Sequence, residues 1–267
     1  MSVHLQAVEA AERRRLAIPK PVQQAAAVRD AVARAQRLAT PDRPPLPGNA
    51  AGVERAIADY ALQMQQAALT RTAAAQFADD AEQAYAEAVA GAVPGWIAGM
   101  GKEFQALTTA VGQAAEELPD DVRTDRITWT DTAVTTPFQR AEAAAVQLDQ
   151  LVADRNTIAR AGGHDGGQDN ALYAIAYLPE PTVEEVMAGR WKELAPLLAE
   201  WRDLKHQPVA RWVHLVRAEP ITLSLATPGQ VRERAEQVQA WRDAEVTRLH
   251  GGRLSSALSR VQRSLAA

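Results

Sequence analysis

The chain has 267 residues and a formal net charge of −4, a balance that argues against a protein whose whole surface binds nucleic acid. It contains no cysteine, which excludes disulfides, thiolate zinc sites, iron–sulfur clusters and cysteine nucleophiles. Apolar residues make up 47% and aromatics only 5%, so alanine carries much of the apolar content, favouring helix and close helix approach while burying little area per residue.

The opening residues, Met1-Ser2-Val3-His4-Leu5, lack a basic region followed by an apolar one, so no signal peptide is expected. Residues 2–18 read as a short helix closed by Pro19-Lys20-Pro21, with a second helix from Val22 to Ala39. Between Thr40 and Gly48 stand Pro41, Pro44, Pro45 and Pro47, a composition that helix interior does not accept. Residues 1–39 are therefore expected to form an N-terminal helical arm and 40–50 a Pro-rich linker. From Ala51 to Ala90, Val53, Ile57, Tyr60, Met64, Ala67, Ala74, Ala78, Ala81, Tyr85 and Ala88 hold a near-heptad phase, interrupted by Gly91-Ala92-Val93-Pro94-Gly95. A helix from Trp96 to Leu118 follows, with Ile97, Met100, Phe104, Leu107, Val111, Ala114 and Leu118 spaced alternately by three and four, one apolar stripe ended by Pro119. Two long helices with so short a break make an antiparallel hairpin most simply; a kinked continuous helix is the alternative.

Residues 124–136 interleave threonines with Ile127, Trp129 and Val134, which suggests an extended segment or small strand. Thr136-Pro137-Phe138-Gln139 reads as a capping box that restarts helix toward Ala161. Gly162-Gly163 then stops it, and a Gly-rich loop follows through Gln168. Thr182-Val183-Glu184-Glu185 caps another helix, with Val183, Val186, Met187, Trp191, Leu194, Leu198 and Trp201 inward. A shorter helix follows Pro208. Ile221–Leu225 alternates and is expected to pair with 127–134 in a minimal two-stranded element. Thr227-Pro228-Gly229-Gln230 opens a last helix, broken at Gly251-Gly252. The domains so read are 51–160, a helical hairpin plus a third helix, and 161–267, a C-terminal helical region.

Sites of chemistry fail on spacing. Gly95 stands five residues from Gly101-Lys102, and Glu103 occupies the place where a phosphate-binding loop needs Ser or Thr. His4, His164, His206, His214 and His250 form neither His-Glu-x-x-His nor Glu-x-x-His. Asp165, Asp169 and Asn170 lack the ligand order and closing Glu of an EF-hand. No serine lies in Gly-x-Ser-x-Gly or Ser-x-x-Lys. Catalytic, cofactor-binding and metal residues are accordingly assigned to none. The longest uncharged run, Ala88 to Gly101, contains Pro94 and is shorter than the roughly 20 residues a spanning helix needs, so no membrane span is expected.

These features together predict a mainly α protein, an elongated helical hairpin or bundle with coiled-coil-like packing and at most a minor two-stranded β element. Its expected role is non-enzymatic: a structural or interaction subunit of a larger assembly, with protein partners or further copies of itself. Ile97, Met100, Phe104, Leu107, Val111, Trp191, Trp201 and Trp241 are the candidate interaction residues. The alternative is a nucleic-acid-associated accessory protein using Arg248, Arg253, Arg260 and Arg263 as phosphate contacts on the C-terminal helix. The Arg and Ala bias, with only Lys20, Lys102, Lys192 and Lys205 as lysines, suggests a GC-rich bacterial or phage genome, hence a cytoplasmic or virion location.

Overall fold

A computed structural model describes residues 2–163, 170–250 and 254–265. The Gly-rich loop from His164 to Asp169, the Gly251-Gly252 break and Arg253 lie outside the described residues. The protein is mainly α: the described residues form eleven helices and one two-stranded antiparallel sheet. Its contacts divide it into a larger unit, Met1–Leu16 with Val93–Ala267, and a smaller one, Ala17–Ala92.

The smaller unit is built from helices α2 (Lys20–Gln36), α3 (Ala50–Gln76) and the start of α4 (Ala78–Glu116). Asn49 caps α3 by accepting from the Gly52 amide at 2.7 Å, which satisfies one free donor of the first turn. Alpha-2 packs on α3, and Arg29 lies over the Tyr85 ring, 4.2 Å from its centre. Tyr85 is buried, and that burial pushes its phenol above the ordinary value, with Arg29 opposing. Arg71 donates to the Leu38 carbonyl at 3.0 Å and closes the start of the proline-rich segment onto α3.

The expected break at 91–95 is absent. Alpha-4 runs unbroken through Gly91, Pro94 and Gly95, so the hairpin reading of 51–118 is wrong. Proline removes one backbone bond and bends a helix without having to end it. Val89, Ala92, Val93, Trp96 and Ile97 are all buried around it, and burial outweighs a local propensity cost of a few kcal/mol. The interruption falls instead at Phe77, whose amide bonds the Ala74 carbonyl three residues back.

In the larger unit α1 (Val3–Arg13) docks on α5 (Thr132–Ala161) through Ala7, Ala10 and Ala11, all fully buried. Alanine on both sides (Ala141, Ala144, Ala145) lets the helices approach closely. Arg14 and Arg13 then clamp Asp154 at 2.6 and 2.8 Å. Alpha-5 starts at Thr132, capped by Asp131, whose carboxylate accepts from the Ala133 amide. The predicted strand over 127–134 is therefore a turn and a helix start, and Thr136-Pro137 lies inside the helix. Its Thr/aromatic alternation is too short to outweigh a carboxylate placed to cap.

The sheet forms elsewhere. Beta-1 (Ala176–Tyr177) pairs with β2 (Thr222–Leu223), with Ala176 opposite Leu223 and Tyr177 opposite Thr222. Capping boxes open α7 (Val183–Ala188) at Thr182/Glu185 and α10 (Pro228–Leu249) at Thr227/Gln230, as the sequence predicts. Gly189, at φ 79°, ends α7 in the left-handed region that favours glycine. The helix predicted from 182 to 201 is thus split, and α8 (Trp191–Asp203) begins anew. Alpha-9 (Pro208–Arg217) ends with Arg217, whose guanidinium donates to the carbonyls of Ala115, Leu118, Pro119 and Asp120. A cation there meets the negative end of the α4 dipole and its free carbonyls. Alpha-11 (Leu254–Leu265) packs on α10 through Val261. No described helix is long and apolar enough to cross a membrane.

Candidate functional site

The apolar stripe singled out from sequence faces inward. Ile97, Met100, Phe104 and Val111 are buried and Leu107 is half-buried. Phe104 meets the Trp212 ring edge-on at 6.1 Å, and Trp212 meets Trp201 edge-on at 5.7 Å. Trp241 is fully buried, donates its indole N–H to the Pro179 carbonyl, and stacks on the half-buried Trp191 at 6.4 Å. Six of these eight residues are buried in the core of the larger unit, and Leu107 and Trp191 are half-buried at its edge.

Of the four candidate arginines, Arg253 lies outside the described residues. Arg248 donates to both Glu245 oxygens, at 2.6 and 2.8 Å. Those hydrogen bonds hold the Glu245 carboxyl below its ordinary value. A carboxylate with a depressed native pKa stabilises the fold above the unfolded value, near 4.5, and loses that contribution as pH falls through the native value. Glu245→Gln is expected to cost about 1 kcal/mol at pH 7. The difference from wild type should shrink as pH falls below about 4.5 in paired urea melts. Arg260 and Arg263 are exposed, donating to the carbonyls of His250 and Ser259.

Several polar hollows lie in the larger unit, among them two lined by α8, α9 and α10. A cleft of about 380 Å³ is lined by Asp120, Asp121, Arg123, Glu200, His214 and Arg217, among others. There the His214 Nε2 lies 2.9 Å from the Leu197 carbonyl and the Nδ1 3.5 Å from the Glu200 carboxylate. The contact of Nε2 with the Leu197 carbonyl ties α9 to α8. A groove of about 740 Å³ is lined by Tyr177, Ser224, Arg234, Glu180, Glu233 and Glu236, among others. Arg234 donates to the Tyr173 and Ser224 carbonyls and to the Ser224 hydroxyl. Burial brings its guanidinium down to about 10, so it stays charged at neutral pH. The described residues hold no group of three potential metal ligands.

The feature no motif search finds is on the smaller unit. Val28, Leu38, Leu46, Ile57, Leu62, Leu69 and Phe77 are each between 44% and 75% exposed. On α3 one face (Val53, Ala56, Tyr60, Met64, Ala67, Thr70, Arg71, Ala74) is buried or half-buried, and the other (Ala51, Arg55, Ala58, Leu62, Gln65, Leu69, Thr72, Ala73, Gln76) is exposed. Only Ala67 and Ala74 of its 27 residues are buried. The signal was present in sequence as a charge gap: between Asp59 and Asp79 the sole charged residue is Arg71, and that guanidinium is turned to the covered side. Comparison with protein families, with characterised proteins and with solved structures finds nothing that matches this chain.

Proposed function

We propose that the protein is a non-enzymatic interaction subunit of a larger bacterial or phage assembly, and that the smaller unit supplies its docking surface. The observation that carries this is the concentration of exposed large apolar side chains on α2, the proline-rich segment and α3. Water-facing helices ordinarily carry charge, and contiguous apolar surface on a folded chain marks a contact site. A helix of 27 residues with two buried alanines gains little from its own packing, so an added partner face contributes much of its stability. The alternative, phosphate contact through the C-terminal arginines, has less to support it, because Arg248 is already neutralised by Glu245.

The test is the native mass of the tagged chain in an extract of its source cells or virions. The expected result is wild type well above the 28.8 kDa of one chain, and Leu62→Glu/Leu69→Glu near it. Wild type and variant both running as single chains would refute the reading.

A further inference from the structure

We infer that the proline-rich segment between α2 and α3 is a preformed polyproline II ligand, read by a partner protein through a groove lined with aromatic side chains and flanked by carboxylates. The inference rests on the docking role proposed above and names the chemistry of the partner. Pro41, Pro44, Pro45 and Pro47 fix their own φ at about −65°. Thr40, Arg43, Pro44 and Leu46 each precede a proline, which pushes them to extended backbone. Of residues 41–47 only Asp42 escapes both restraints. Residues 38–47 accordingly form neither helix nor strand, and no backbone–backbone hydrogen bond among the described residues involves 41–47, as polyproline II requires.

The segment is tied to α3 at both ends. At one end Arg71 donates to the Leu38 carbonyl and to the Thr40 hydroxyl. At the other Asn49 caps α3, and Pro47 lies so close to Gly52 that a Cβ there would meet the proline Cβ at 3.0 Å. From Asn49 to Arg71 the helix rises about 33 Å. The steps from Thr40 to Asn49 reach about 28 Å as polyproline II, and the Arg71 side chain covers the rest. The strip is therefore extended before any partner arrives, so little chain entropy is lost on binding. Its ends lean on the body and its centre stands clear: Pro41 and Pro47 are half-buried, whereas Arg43, Pro44, Pro45 and Leu46 are exposed. Leu46, at 75%, is more exposed than the other large apolar side chains described. Pro41-Asp42-Arg43-Pro44 and Pro44-Pro45-Leu46-Pro47 both spell Pro-x-x-Pro, the pattern that aromatic-lined grooves take in this conformation. With three residues per turn, Arg43 and Leu46 share one edge, beside the edge of Pro45. Arg43 is exposed and forms no ion pair among the described residues, so its guanidinium is open to a carboxylate at the rim of the groove.

The test adds the purified full chain to a panel of isotope-labelled SH3 domains, whose aromatic grooves report binding by chemical shift. At least one domain is expected to bind, with its shifts confined to that groove. Arg43→Glu and Leu46→Ala change exposed side chains and leave the fold intact; each is expected to raise the dissociation constant about tenfold. Asp42→Asn should lower it, by removing a like charge from the carboxylate rim. Leu62→Glu/Leu69→Glu, on α3, should leave it unchanged. Shifts in none of the domains, or binding that Arg43→Glu and Leu46→Ala leave as in wild type, would overturn the inference. In the native extract Arg43→Glu/Leu46→Ala is expected to run lighter than wild type. If it stays as heavy as wild type while Leu62→Glu/Leu69→Glu becomes light, the inference falls and the docking role stands on α3. If wild type itself runs as a single chain there, both fall.

Discussion

Arg155→Ala is expected to lower the unfolding free energy of the larger unit by about 3–5 kcal/mol, the range for emptying the site of a large buried side chain and leaving its buried acceptor unpaired. Arg155 is fully buried on α5. Its guanidinium donates through two nitrogens to the Ala226 carbonyl and through the third to Asn156. Ala226 is itself fully buried and donates its amide to the Ala174 carbonyl, next to the β1–β2 pair. Truncation leaves a polar cavity and a carbonyl whose only paths to water are blocked, and each of those costs adds. Arg155→Lys should fall between wild type and alanine, because an ammonium reaches the carbonyl with one donor and lacks the fork. All six tryptophans lie between residues 96 and 241, inside the larger unit, so tryptophan emission during urea unfolding reports that unit alone. A loss below about 1 kcal/mol for Arg155→Ala would show that Arg155 does not tie α5 to the segment after β2.

Trp212→Ala is expected to cost a further distinct amount, about 3–5 kcal/mol in the same unit, as for other buried large-to-small changes. Trp212 is 1% exposed and stands where three elements meet. Phe104 of α4 and Trp201 of α8 pack their rings edge-on against it. Asp149 of α5 accepts its indole N–H at 2.8 Å and the Arg211 guanidinium at 2.6 Å. Removing the indole opens the centre of that junction and strips one donor from Asp149. Trp212→Phe keeps most of the packing and loses the N–H, so a cost of about 1–2 kcal/mol is expected. Far-ultraviolet circular dichroism is the appropriate measurement, since the substitution itself changes the emission. If Trp212→Ala and Trp212→Phe melted together with wild type, the junction would not be the centre of the core.

The sequence showed helices well and showed their neighbours poorly. Capping boxes at Thr182/Glu185 and Thr227/Gln230 are local chemistry, complete within four residues, and both are present as read. The stripe from Ile97 to Val111 was legible as a buried face because burial sets its period. What it packs on was not: Trp212 and Phe104 are more than a hundred residues apart, and nothing in either neighbourhood names the other. Misreadings arose where local propensity and tertiary burial disagree. Gly91, Pro94 and Gly95 are breakers in isolation, but α4 continues through them between buried Val89, Val93 and Ile97. Residues 127–134 have strand composition, and Asp131 caps a helix there instead. The strand that does pair with 222–223 is Ala176–Tyr177, a stretch too short for any periodicity to mark.

The exposed face of α3 is hard to read from sequence for a related reason. Long apolar stripes drew attention to α4, whose stripe is consumed inside the chain, and away from α3, whose exposed face is only weakly apolar. The informative property of α3 is negative in sign: a stretch from Tyr60 to Ala78 with one charge, on a helix that the fold leaves half uncovered. Hydrophobic periodicity does not register it, whereas charge spacing set beside exposure does.

Amide hydrogen exchange over residues 50–76 measures most directly whether that face is covered in the working protein. Alpha-3 has two buried residues, so its backbone should open readily when its outer face meets water and slowly when another helix lies on it. Strong protection of Ala58–Ala73 is expected in wild type isolated at its native mass, with loss of that protection in Leu62→Glu/Leu69→Glu. Protection unchanged by the substitutions, or exchange equally fast in both proteins, would contradict it.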